Sequence, residues 1–151
     1  MKRVLAIFFV ASFLFSSQSP ATAATKTLKA GKAVTISFPG LVTLKKSGCQ
    51  KIPVKYTIGK MPTISFAALA ILDDSDSSIT NTIFYKTPSF SEDGKIWKKN
   101  GTFNLKVCRD DWSEDIGDGE FEDHLGAKKG TYQIYLVVYP STEEFGTITF
   151  K

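Results

Sequence analysis

The chain has 151 residues, 23% of them charged and 42% hydrophobic, with a formal net charge of +4. That balance belongs to a folding domain rather than a disordered tail. Arg109 is the only arginine after Arg3, which argues against the clustered basic face of a nucleic-acid binder.

The first element is a leader. Lys2 and Arg3 precede an apolar run from Val4 to Phe15, and a polar stretch then leads to Ala21-Thr22-Ala23. A basic start, a short hydrophobic core and an A-x-A exit form a secretory signal peptide, cut after Ala23. Twelve helical residues would rise about 18 Å, well short of a ~30 Å hydrocarbon core, so a membrane anchor is the weaker reading. No cysteine follows the run to take a lipid, and no later segment is long and apolar enough to span a bilayer. Residues 24–151 remain as one domain of 128 residues, enough for a hydrophobic core. Without the leader the net charge falls to +2.

Strand periodicity follows. Thr25 to Lys32 is a loose lead-in or the start of the first strand. Val34, Ile36 and Phe38 alternate with polar neighbours, as do Ile52, Val54, Tyr56 and Ile58. Phe66 to Leu72 is a continuous apolar run, read as a strand covered on both faces or in mid-sheet; its alanines also allow a short helix. Ile79 to Tyr85 is weaker. Phe103, Leu105 and Val107 alternate, as do Tyr132, Ile134, Leu136 and Val138, and Phe145 to Phe150 ends the series. Turn chemistry separates the runs at Pro39-Gly40, Gly59 to Pro62, Asp93-Gly94, Asn100-Gly101 and Tyr139-Pro140. Seven such strands without a helical repeat predict an all-β fold, an antiparallel seven-stranded sandwich.

Cys49 and Cys108 are the only cysteines. In an exported chain they are expected to pair. Two thiols without a histidine cluster make a poor metal site.

At Gly130-Thr131-Tyr132, followed by Gln-Ile-Tyr-Leu-Val-Val, the chain resembles the immunoglobulin-like superfamily. There a tyrosine often opens the penultimate strand and bonds back to the preceding corner. The resemblance is one of fold, since neither cysteine lies in that strand and no Trp lies in the third. It implies that the second and fifth predicted strands are antiparallel neighbours. Cys49 would then lie beside Cys108, a staple at one pole rather than a bridge across the core.

The same strand directions gather three connections at that pole. They carry eleven carboxylates, offset by Lys45, Lys46, Arg109, Lys128 and Lys129. Crowded carboxylates are relieved by a hard cation. Asp73, Asp74, Asp76, Asp110, Asp111, Asp115 and Asp118 are therefore candidate Ca²⁺ ligands, within loops 73–76 and 110–123. The spacing is not that of an EF-hand, because Asp74-Ser75-Asp76-Ser77-Ser78-Ile79 lacks the glycine. A solvated acidic loop is the plainer reading, and a cationic protein partner is a third.

Ser91 to Trp97 reads as a hairpin turn with Trp97 packed on the sheet. It resembles the Asp-box of sialidase-type propellers, but is one residue short between Asp93 and Trp97 and occurs once. The functional alternative is a sugar-stacking platform of Trp97 and Phe90 beside Lys95, Lys98 and Lys99. Trp112 is expected to cover one end of the sandwich, or to anchor a partner. His124 is the only histidine and is read as a surface residue among acids. No Gly-x-Ser-x-Gly elbow positions a nucleophile, and one imidazole is too few for zinc catalysis. Paired carboxylates for glycoside cleavage would need a cleft. Asn100-Gly101-Thr102 fits the glycosylation pattern, although the turn signal accounts for it.

The expectation is a secreted, non-enzymatic binding or accessory module of the cell envelope or extracellular space. The alternatives are a Ca²⁺-dependent module, a carbohydrate-binding module at Trp97, Lys98 and Lys99, and a small hydrolase. The expected partner is a protein or polysaccharide, with no nucleic acid and no membrane span. Ca²⁺ is the one cofactor suggested.

Overall fold

The computed structural model describes residues 24–91, 97–140 and 142–151. The expected signal peptide, the Asp93-Gly94 turn and Lys95 lie outside the described residues.

The described residues are all-β, with eleven strands among them where the periodicity predicts seven. In order they are β1 (Thr25–Ala30), β2 (Val34–Pro39), β3 (Leu41–Val42), β4 (Cys49–Ile58), β5 (Phe66–Leu72), β6 (Ser78–Lys86), β7 (Asn100–Cys108), β8 (Trp112–Gly117), β9 (Glu120–His124), β10 (Gly130–Val138) and β11 (Thr142–Phe150). The Phe66–Leu72 run is a strand and lies in mid-sheet, between β10 and β6. No helix among the described residues is long and apolar enough to cross a membrane.

Two sheets share one core. The first has the order β1-β2-β4-β7 and the second β3-β11-β10-β5-β6. Every pairing is antiparallel except β3 with β11. Alternation explains the packing. Ile36, Phe38, Ile52, Val54, Leu105 and Val107 project inward from one sheet, and Leu69, Ile71, Ile134, Leu136, Ile148 and Phe150 from the other, all at most 2% exposed. At the open side, Phe84 of β6 stacks on Phe103 of β7 with centroids 4.6 Å apart, and Tyr56 of β4 tilts against Phe84 at 5.3 Å. These rings join the two sheet edges.

The disulfide forms where strand direction requires it. Cys49 opens β4, Cys108 ends β7, and they are register partners with an S–S distance of 2.01 Å. Tyr132 is the third residue of β10, and its hydroxyl oxygen accepts the Lys128 N–H at 2.9 Å.

Three strands, β3, β8 and β9, escaped the sequence reading, and β1 was left open as a lead-in or the start of the first strand. In β1 the alternation is diluted by Lys26 and Lys29, yet Ala30 is buried and the strand pairs with β2 over its whole length. β3 has only two residues. β8 and β9 form a separate two-stranded sheet inside what was read as a long acidic loop. One predicted turn is also absent, because Asn100 and Gly101 are the first residues of β7. The Tyr56 ring lies over Gly101, where an added Cβ would sit 3.2 Å from it. Cross-strand pairing and that close approach outweigh the local turn preference of Asn-Gly.

Candidate functional site

The β8–β9 hairpin builds a site by spanning the edges of both sheets. Trp112 and His124 are register partners at its base, with ring centroids 4.3 Å apart. On the first sheet, the Lys106 ammonium of β7 lies 3.8 Å from the centre of the Trp112 ring. The indole is thus engaged by a cation and an imidazole, which fixes it in place. On the second sheet, Asn81 Nδ2 of β6 donates to Glu122 Oε1 of β9. Ser78 Oγ lies 3.1 Å from His124 Nδ1, and Leu125 N–H donates to Ser78 O at 2.9 Å. Behind the hairpin, Gly126 N–H donates to Asp111 Oδ1 at 2.7 Å and Ala127 N–H to Cys108 O at 2.8 Å. An added Cβ on Gly126 would fall 2.4 Å from the Arg109 carbonyl oxygen, so only glycine fits this return path.

Between hairpin and β6 lies a pocket of about 610 Å³, lined by Ser77, Ser78, Asp111, Trp112, Ser113, Asp123, His124 and Leu125. Its wall has two carboxylates, one imidazole, three serine hydroxyls and no lysine or arginine. Ser113 Oγ donates to Asp123 Oδ1 at 2.6 Å. His124 is 2% exposed, which corrects its reading as a surface residue. Neighbouring residues on a strand face opposite ways, so the acids on either side in sequence do not surround it in space. His124 Nε2 and Trp112 Nε1 are buried and have no hydrogen-bond partner among the described residues. A sealed polar atom of that kind costs roughly 1–3 kcal/mol.

The Ser78–His124 contact is within reach for a nucleophile and its base. A triad needs a third group to orient the imidazole, and Nδ1, the nitrogen facing the serine, leaves only the unpartnered Nε2 for it.

The carboxylates read as candidate Ca²⁺ ligands fall on the β5–β6 connection and in or beside β8. Among the described residues no three His, Cys, Asp or Glu residues come close enough to hold an ion. Several carboxylates serve the backbone. Asp73 Oδ1 accepts the N–H groups of Ser75 and Ser77 at 2.9 and 2.8 Å, and Asp115 Oδ1 accepts that of Gly117 at 2.9 Å. Asp76 and Asp118 hold left-handed turn positions at φ 58° and 54°. Asp74 and Asp110 are exposed. Trp97 is partly buried and packs against the core. Lys98 and Lys99 beside it are exposed; the Lys98 carbonyl oxygen accepts from Tyr56 Oη at 3.1 Å. Phe90 instead packs on Phe66 at 5.2 Å and Tyr139 at 6.2 Å.

The pocket at His124 was missed in the sequence. Its one legible signal was the pairing of an aromatic residue and a histidine at the two ends of the acidic stretch.

No protein-family model matches this chain, and no curated protein sequence matches it. Among solved structures, the superoxide reductase (neelaredoxin) from Ignicoccus hospitalis is similar, with a TM-score of 0.39 at 15% identity over 79% of this chain and 80% of that one. At that distance the likeness carries no statement about activity. The expectation of a secreted, non-enzymatic binding or accessory module, with its Ca²⁺, carbohydrate and hydrolase alternatives, is withdrawn as a statement of function, since no family model and no curated sequence carries it.

Proposed function

We propose that the pocket beneath the β8–β9 hairpin captures a small hydroxylated amine. The observation that carries this reading is the wall itself. Asp111 and Asp123 are exposed carboxylates with no basic residue in the lining, and beside them stands a buried histidine whose Nε2 has no partner among the described residues. An ammonium group satisfies the carboxylates by charge-assisted hydrogen bonds. A hydroxyl on the same molecule would face the imidazole of His124, which forms part of the pocket wall. An anionic ligand would meet two like charges.

The order β1-β2-β4-β7 against β3-β11-β10-β5-β6, with the Tyr132 bond back to Lys128, supports an immunoglobulin-like sandwich as the frame. The disulfide, with the leader read from residues 1–23, supports an extracytoplasmic setting.

Thermal unfolding with ethanolamine tests the reading, with ethylene glycol and glycolate as uncharged and anionic counterparts. At ten times Kd, ethanolamine adds about 1.4 kcal/mol, which raises the midpoint by roughly 5 °C for a domain of this size. Asp123→Asn should keep the unliganded midpoint and lose the shift. Equal shifts with all three compounds, or none, would refute it.

A further inference from the structure

We infer that the tip of the β8–β9 hairpin docks into a lysine-ringed recess on a second copy of this chain. The two surfaces adjoin where the Lys106 ammonium, at the rim of the recess, lies 3.8 Å from the Trp112 ring at the base of the hairpin; the hairpin tip projects beyond that contact, and each surface is charged with one sign. The strands of the first sheet, β1, β2, β4 and β7, contain no Asp or Glu, and Lys29, Lys51, Lys55 and Lys106 are exposed on them. At the disulfide end of that sheet lies a recess of about 410 Å³, lined by Lys45, Cys49, Gln50, Lys51 and Lys106. Its walls are ammonium groups on apolar stems, and Cys49 brings the disulfide to its lining.

The hairpin is the converse. Residues 112–124 hold Glu114, Asp115, Asp118, Glu120, Glu122 and Asp123, with no lysine or arginine. Glu114 and Glu122 face each other directly in the register, an arrangement of like charges that is unfavourable in isolation. Phe121 and Ile116 are 66% and 58% exposed near the tip, among the most open large apolar side chains described. An aromatic ring bracketed by carboxylates matches a recess with an apolar floor and a ring of ammonium groups. Sulfur near an aromatic edge adds to the fit. Because the hairpin of one copy meets the recess of another, the contact joins two different patches. It does not depend on what the His124 pocket holds.

Sedimentation velocity on the protein as its host processes it provides the test. At ~0.1 M salt the sedimentation coefficient should rise with concentration up to ~1 mM protein. The rise should vanish at ~1 M salt, where the screening length falls from ~10 Å to ~3 Å. Phe121→Ala should weaken association roughly tenfold, as for an anchor at an interface centre. Glu120→Lys and Lys51→Glu should each abolish it, and an equimolar mixture of those two variants should restore it, because each supplies the partner the other lacks. A monomer at every concentration would overturn the inference. So would association indifferent to Phe121→Ala, or a mixture that stays monomeric.

Discussion

Removing the Cys49–Cys108 bridge gives the most quantitative expectation. The two residues are 59 apart, so the bond closes a loop of nearly half the folded domain in the unfolded chain. Constraining a loop of that length lowers unfolded-state entropy enough to add about 4 kcal/mol at room temperature. The native ladder is little affected by the loss, since β4 and β7 stay paired from Cys49–Cys108 through Thr57–Asn100. An unfolding entropy of about 2.1 cal/mol/K per residue over the folded domain converts this to a fall of about 15 °C in midpoint. The assay is calorimetry and urea unfolding of the oxidised protein beside the Cys49→Ala, Cys108→Ala double variant. The urea slope should also steepen, because an unbridged unfolded chain exposes more surface. A midpoint loss below ~5 °C with an unchanged slope would refute the loop-closure reasoning.

Other outcomes follow from single contacts. Gly126→Ala should cost roughly 2–3 kcal/mol, because its Cβ would press on the backbone of Arg109 and Asp110 and disturb the bond to Asp111; urea unfolding measures it. Ile134→Ala removes a fully buried side chain at the centre of β10 and should cost about 3 kcal/mol by the same assay. Trp112→Ala should free the hairpin from Lys106 and His124, seen as faster amide exchange from 112 to 124 with β10 unchanged. The Tyr135 hydroxyl bonds to Glu143, and that bond, with burial and the carboxylate charge, pushes its pKa up to about 12. The folded state therefore holds this proton more tightly than the unfolded chain. The stability it contributes is complete below the ordinary tyrosine value and is lost as pH rises from there through about 12. Ultraviolet titration should show this late phenol, and Glu143→Ala should bring it back toward the ordinary value.

How much the sequence disclosed depends on what each residue had to signal. Alternation found the core because burial and period coincide: Ile36, Ile52, Leu105, Ile134 and Ile148 are all inward. The adjacency of the second and fifth predicted strands, implied by the immunoglobulin-like resemblance, put Cys49 beside Cys108, and the register pairs them. The acidic hairpin was invisible because its strands bury almost nothing; a pattern made of carboxylates carries no apolar period to read. What holds it is tertiary, namely Lys106 on Trp112, Ser78 against His124 and Asn81 on Glu122. His124 illustrates the limit. Its sequence neighbours are acids, while its spatial neighbours are an indole and a serine, and only the register of β8 with β9 reveals the difference. The Asn100-Gly101 dipeptide is a strong local turn signal that cross-strand pairing with Tyr56 and Thr57 overrode.

The pocket is tested most directly at its buried imidazole. His124 is the only histidine, so its ring nitrogens give a single set of resonances. Ethanolamine titrated to ~10 mM should move the Nε2 resonance along a saturable curve, and glycolate should not. A ring that ignores ethanolamine while the protein stays folded would contradict the assignment of this pocket to a hydroxylated amine.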